Sequence, residues 1–368
     1  GKTEAALAAA EILAANKGCG GIFFGLPTQA TANGLFPRIL SWADYQSADE
    51  VHGIRLAHGA AGLNEDFQRI FRGTANIAKD DSDGGVIAHS WFEGRKQGLL
   101  ADFVVGTVDQ LLMAGLRQKH MMLRHLGLAG KTVVIDECHS YSPYMNRYLD
   151  RCLTWLGEYG APVIILSATL PEERRESMVK AYLKGKSHGK KLPAQTALIP
   201  DYSYPRITWT DGETVCQKPV KGDIRQTEVS IIRAETAGLA DILKERLSAG
   251  GCAAVIVNTV KRAQQTAEIL KNSLEDTGIL LFHSQFIMDD RAKREKELIS
   301  MLGRNGRRPF RMVVVGTQVL EQSLDIDFDL MVTDLCPMDL LLQRIGRLHR
   351  HRETKRPDGL KSPICYVL

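Results

Sequence analysis

The sequence predicts an α/β protein of two tandem domains, each a parallel β-sheet flanked by helices. Three observations carry that prediction. Short apolar runs alternate with helical segments along both halves of the chain, the pattern of strands joined by helical crossovers. At 368 residues the chain exceeds the size at which one hydrophobic core stops growing. Around Lys186 to Gln226 the periodicity fades and Pro193, Pro200, Pro205 and Pro219 accumulate. Domain 1 is therefore placed at 1–195, a connection at 196–228 and domain 2 at 229–368.

The strands of the first half are read at Gly21–Leu26, Phe103–Val105, Thr132–Ile135 and Val163–Leu166. Those of the second are read at Val229–Ile232, Ala253–Val257, Ile279–Phe282, Met312–Val315 and Leu330–Val332. Ligand chemistry in parallel sheets gathers at the carboxyl ends of strands. Each first-half strand runs there into a polar cluster: Pro27-Thr28-Gln29, Gly106-Thr107-Val108-Asp109-Gln110, Asp136-Glu137-Cys138-His139 and Ser167-Ala168-Thr169.

The clusters have a common chemistry. Asp136 and Glu137 put two adjacent carboxylates at a buried strand's end, where Asp136 can hold magnesium and Glu137 can orient water for attack on a γ-phosphate. Gly1-Lys2-Thr3-Glu4, running into an alanine-rich helix, reads as the last residues of a phosphate-binding loop whose upstream half is missing. In such a loop Lys2 reaches the β- and γ-phosphates and the Thr3 hydroxyl binds magnesium. His139 is assigned coupling rather than acid–base work, its ring bridging the carboxylate loop to the second domain.

In the second half Gln343, Arg347 and Arg350 recur at i, i+4 and i+7, which would place them on one helix face, with Arg344 beside them and Gly346 interrupting. Arginine stays protonated and presents fixed donors to phosphoryl oxygens, so Arg350 is the first choice for an arginine finger, with Arg347 beside it. Gln343 would reach towards His139 or the attacking water. Hydroxyl and amide groups at strand ends can grip nucleic-acid phosphates without reading sequence. Thr28, Gln29, Thr107, Gln110, Thr259, Ser284 and Thr317 are the candidates on that ground. His283, His349 and His351 could be phosphate contacts or surface residues.

Composition sets bounds. A net charge of +4 is too small for bulk electrostatics to draw in nucleic acid, so any such binding needs a local groove. The cysteines at 19, 138, 152, 216, 252, 336 and 365 show no zinc-ligand spacing or disulfide framework, and are read as reduced thiols of a cytoplasmic protein. No apolar run approaches a membrane span, and no His-Asp dipeptide or dinuclear metal spacing marks a nuclease centre.

Taken in order, Gly1-Lys2-Thr3, Pro27-Thr28-Gln29, Asp136-Glu137-Cys138-His139, Ser167-Ala168-Thr169, Gly316-Thr317 and Gln343 through Arg350 resemble a superfamily-two DExH helicase core. More narrowly, Leu26 to Asn33, Val105 to Leu112, Leu320 to Asp327 and Leu335 to His351 resemble the CRISPR-associated helicase-nuclease family of type I systems, nearest subtype I-E. The resemblance implies two RecA-like domains and an ATP- and magnesium-dependent motor. Such a motor moves three-prime to five-prime on single-stranded DNA after a Cascade-type complex has found its target. It implies that Gly1, Lys2, Thr3 and Asp325 bind the nucleotide, that Thr3 and Asp136 hold the metal, and that Asp136, Glu137, His139, Gln343, Arg347 and Arg350 serve catalysis. It also implies that an amino-terminal HD nuclease domain and a carboxyl-terminal domain, both outside this chain, complete the parent protein. Another motor of the same superfamily, or a non-catalytic nucleic-acid clamp, are the competing readings.

Overall fold

The computed structural model describes residues 2–46, 51–59, 61–64, 66–70, 85–87, 97–138, 141–190, 203–212, 214–220, 227–286, 288–321 and 324–368. Two compact units emerge, Gly1–Gly222 and Asp223–Leu368.

In the first unit β1 (Gly21–Leu26), β2 (Val51–Ala57), β3 (Gly85–Ile87), β4 (Phe103–Thr107), β5 (Lys131–Ile135) and β6 (Val163–Ile165) form one parallel sheet in the order β3-β2-β4-β1-β5-β6. β1 lies inside the sheet and every residue in it is buried, which is why its sequence is a continuous apolar run rather than an alternation. Successive side chains still leave opposite faces. Ile22, Phe24 and Leu26 pack with the helices Lys2–Lys17 and Gln29–Gln46, whereas Phe23 joins Val104, Val133 and Ile135 under the helix Pro143–Glu158. That last helix starts where the carboxylate loop ends: Ser142 caps it by accepting the Met145 N–H at 3.3 Å, and Pro143 occupies its first turn. It then crosses the helix Glu172–Lys186 at two glycines, because a Cβ at Gly157 would lie 2.1 Å from the Tyr182 carbonyl oxygen and one at Gly185 would lie 1.8 Å from that of Thr154.

The segment read as a connection contains structure. Strands β7 (Arg206–Asp211) and β8 (Thr214–Pro219) form an antiparallel hairpin. Arg206 pairs with Glu172, Arg175 donates to Thr208 Oγ1 at 3.3 Å, and Lys186 donates to the Gly212 carbonyl at 2.9 Å, so polar contacts tie the hairpin to the helix Glu172–Lys186.

The second unit repeats the architecture. Strands β9 (Ser230–Arg233), β10 (Gly251–Ile256), β11 (Gly278–Phe282), β12 (Arg311–Gly316), β13 (Leu330–Thr333) and β14 (Ile364–Val367) form a parallel sheet in the order β11-β12-β10-β13-β14-β9. Its two faces carry separate buried clusters. Cys252, Ala254 and Ile256 point into one, and Ala253 and Val255 into the other. Among the described residues no helix is long and apolar enough to cross a membrane.

Candidate active site

Register brings the first unit's polar clusters to one edge. Leu26 lies opposite Thr107 and Gly25 opposite Ile135, so Thr28, Thr107 and Asp136 follow neighbouring strands at the same end of the sheet. The Asp136 N–H continues the ladder to the Gly25 carbonyl at 2.9 Å, and the Tyr141 hydroxyl donates to the Asp136 carbonyl at 3.2 Å. Glu137 has φ 54, a left-handed backbone that costs an ordinary residue about 1–2 kcal/mol. That turn lets its N–H donate to Asp136 Oδ1 at 2.9 Å. Cys138 is buried in the core beneath the loop.

Burial and the neighbouring Glu137 charge push the Asp136 carboxyl up to about 6, against the Glu137 N–H and the Lys2 charge, which favour its ionised form. Lys2 opens the helix Lys2–Lys17, exposed, with Thr3 partly buried behind it. A desolvated carboxylate beside a second carboxylate is the donor set a divalent cation relieves, and magnesium is usually held by one or two carboxylates together with substrate phosphates. The residues fit magnesium in that manner. Among the described residues no group of three or more histidine, cysteine or acidic side chains could hold a metal on its own.

Thr28 and Thr31 form a closed turn: the Thr31 hydroxyl donates to the Thr28 carbonyl at 2.6 Å, and each backbone N–H meets the other's hydroxyl. Gln29 is exposed beside it. Thr107 is buried, and Gln110 accepts from Arg124 at 3.1 Å.

The second unit gathers its groups in the same way. Ile256 lies opposite Gly316 and Thr333, and Phe282 opposite Gly316, which puts Thr259, Ser284, Thr317 and Asp334 past the ends of adjacent strands. Thr259 caps the helix Val260–Ser273 by accepting the Arg262 N–H at 3.3 Å, and Ser284 is exposed. Among the described residues the Thr317 hydroxyl and the Gln343 amide nitrogen are buried and meet no hydrogen-bond partner.

The helical stripe of arginines is corrected. The helix Met338–Ile345 ends before Gly346, so Gln343 stands on it, while Arg347 and Arg350 come from the turn beyond. The chain cannot continue helically because the Phe328 N–H bonds the Arg347 carbonyl at 2.9 Å and the His349 N–H bonds the Phe328 carbonyl at 3.0 Å, splicing the turn to the segment before β13. His349 takes φ 50 there, is buried and donates to the Asp329 carbonyl at 3.2 Å, so it is not a surface residue. His283 is likewise buried, stacked on Phe286 with centroids 4.2 Å apart.

Arg350 Nε donates to Asp325 Oδ1 at 2.6 Å, and His351 Nε2 lies 3.2 Å from the same oxygen. Burial would raise the Asp325 carboxyl, but the Arg350 and His351 hydrogen bonds hold it below the usual range. Arg347 donates to the Glu321 carbonyl at 2.8 Å.

Sequence reasoning passed over Arg344 as a neighbour of the stripe. It is 1% exposed, and it pairs with Glu321 at 2.6 Å, donates to the Thr333 hydroxyl, to the Asp334 carbonyl at 3.1 Å and to Asn258 Oδ1 at 3.3 Å. One guanidinium thus fastens the ends of β10 and β13 to the turn after β12. Its place three residues after Leu341, on the buried face of a short amphipathic helix, was the available signal. Gly1, His139, Gln322 and Ser323 lie outside the described residues.

Two parallel sheets, one bearing an Asp-Glu pair and the other an arginine turn at their strand ends, place the fold in the RecA-like class. Residues 249–353 match the family model for the C-terminal part of the CRISPR-associated nuclease/helicase Cas3. A Cas3 nuclease/helicase of Streptococcus thermophilus is 46% identical over 100% of this chain and 40% of its own length. T. fusca Cas3, solved with ATP, superposes with a TM-score of 0.87 at 36% identity, over 100% of this chain and 43% of that one. A chain of a CRISPR RNA-guided surveillance complex in its pre-nicking state matches with a TM-score of 0.78 at 34% identity, over 100% of this chain and 41% of that one. Over its whole length the chain matches the helicase region of Cas3 nuclease/helicases. It spans about two-fifths of the length of these relatives, 40% in the Streptococcus thermophilus protein.

Proposed function

We propose that the chain is the ATP-dependent helicase core of CRISPR interference against foreign DNA, hydrolysing ATP at its inter-domain cleft to move three-prime to five-prime on single-stranded DNA. The observation that carries this reading is the placement of Asp136 and Glu137 at the strand-end edge, with Asp136 inside the field of the Lys2 charge. Lys2 neutralises the terminal phosphates, and Thr3 and Asp136 would hold magnesium. The metal, when bound, supplies charge stabilisation to the phosphoryl oxygens. Glu137 orients the attacking water. Arg350 and Arg347 offset the charge that develops on the transferred phosphoryl group, Asp325 and Gly1 flank the nucleotide, and Gln343 carries an unspent donor for the water or for His139.

Thr28, Gln29, Thr107 and Gln110 on one sheet and Thr259, Ser284 and Thr317 on the other would grip the strand by its backbone, so that closing and opening of the domains moves it. The relative with ATP and the relative in a surveillance complex support nucleotide binding and a Cascade-type partner. An HD nuclease domain in the same parent protein and a cytoplasmic location belong to the same proposal.

Glu137→Gln, made in the full-length protein, tests it. Single-stranded-DNA-stimulated ATP hydrolysis should fall at least about 100-fold, while nucleotide is still bound. Unchanged turnover would sink the role of Glu137. Stimulation by RNA and not by DNA would move the chain to another motor of the superfamily, and absent hydrolysis with intact DNA binding would make it a clamp.

A further inference from the structure

Beneath the arginine turn lies a square of charge that none of the strand-end chemistry uses. Asp327 and Asp329, two residues apart on the approach to β13, are both fully buried. Arg308, from the loop before β12, reaches Asp327 Oδ2 at 3.1 Å and Asp329 Oδ2 at 2.8 Å. Arg356, six residues past Arg350, donates to both Asp327 oxygens at 2.8 and 2.9 Å and pairs with Asp329 at 2.5 Å. Four charges in so small a volume would cost several kcal/mol each in desolvation if they were not matched, and here each carboxylate meets two guanidinium groups.

Asp327 also faces the turn. Its Oδ1 accepts the backbone N–H of Arg350 at 2.6 Å and that of His351 at 3.3 Å, while Arg356 donates to the His351 carbonyl at 3.3 Å. The main chain of Arg350 is thereby held on both sides of its own residue, and the left-handed His349 just before it is fixed by the Phe328 and Asp329 carbonyls. Burial alone would raise the Asp327 carboxyl. Hydrogen bonds from Arg356 and the charges of Arg356 and Arg308 keep it below the usual range, so it is an anionic acceptor at neutral pH.

We infer that Arg308 and Arg356 are positioning residues for ATP hydrolysis, acting through the Asp327 carboxylate on the backbone of Arg350. The inference rests on the reading of Arg350 as the transition-state arginine. A guanidinium that serves the transition state must arrive without reorganisation, and a displacement of about 1 Å can cost up to roughly 100-fold in rate. Lysine in place of either arginine keeps the charge but loses the fork that spans both aspartates.

The test is a double-mutant cycle in the full-length protein, joining Arg356→Lys to Arg350→Ala. Arg356→Lys should lower kcat by roughly 10- to 100-fold with KM for ATP within about twofold, and should shrink the preference for ATP over ADP seen with fluorescent nucleotides. In the Arg350→Ala background the same change should cost no further activity, because its effect passes through Arg350. Unchanged kcat for Arg356→Lys, or an equal loss in both backgrounds, overturns the inference. Unchanged kcat for Arg350→Ala overturns instead the reading on which it rests. Should Arg356→Lys fail to fold, Arg308→Lys goes through the same cycle, since its side chain is 20% exposed and meets the same carboxylate from the outer side.

Discussion

At the scale of single residues, Asp136 is the clearest case of a site held at a cost. Its folded pKa of about 6 stands above the unfolded value, so its favourable contribution is complete below about pH 4 and is lost as pH rises through 6. Asp136→Asn should therefore stabilise the protein by about 1–3 kcal/mol at pH 8 in the absence of magnesium, with the gain vanishing near pH 4. Urea titrations at the two pH values measure it, and an equal gain at both would refute the electrostatic cause. His58 works in the opposite sense. Burial lowers it to about 4, so acid between pH 6.5 and 4 charges it in the unfolded chain and removes stability. Arg344 makes the complementary point, because its buried pair with Glu321 is costly to break. Arg344→Ala should lose about 3–5 kcal/mol by chemical denaturation, well beyond an exposed arginine such as Arg147. A loss under 1 kcal/mol would mean that the strand ends it joins are held by other means.

The crossing of Pro143–Glu158 with Glu172–Lys186 governs the scale of elements. Both helices offer a glycine where their backbones meet, and neither Gly157 nor Gly185 has room for a methyl group. Gly185→Ala should push the helices apart and cost about 1–3 kcal/mol, although alanine is the better helix former. A rise in melting temperature would show that the backbones can part freely. No periodicity announces this contact, since it depends on which faces meet. Strands β1, β4, β5, β10, β12 and β13 are legible because buried parallel strands are nearly unbroken apolar runs, and β6, β9 and β11, though less covered, because their central residues are apolar.

The strands that escaped notice lacked such runs. β2 carries His52 and Arg55 among its apolar residues, β14 is short and follows Pro363, and β7 and β8 alternate polar with apolar in a proline-rich stretch. Asp211-Gly212, where β7 ends, is a hairpin signal masked by those prolines. The site follows the same division. Strand-end clusters are legible because register places them together, whereas the arginine spacing predicts a helix where the chain turns. Spacing at i, i+4 and i+7 holds only while the helix lasts, and a splice to Phe328 leaves no periodic trace.

For the whole molecule, each unit has its own sheet with both faces covered by its own clusters. Scanning calorimetry should resolve two transitions, with Gly185→Ala lowering one and Arg344→Ala the other. A single transition moved equally by both changes would mean that the units melt as one. The order of strands in the second sheet adds a constraint of time. β9 is the first strand of its unit to be synthesised, yet it pairs with β14, the last, through Ile364 opposite Ser230 and Val367 opposite Arg233. On the ribosome, β9 must wait while some 130 residues are translated. Its backbone N–H groups stay unpaired for that interval, so in a nascent chain stalled before Ile364 the Ser230 and Ala234 amides should exchange freely with solvent and become protected once Val367 has left the exit tunnel.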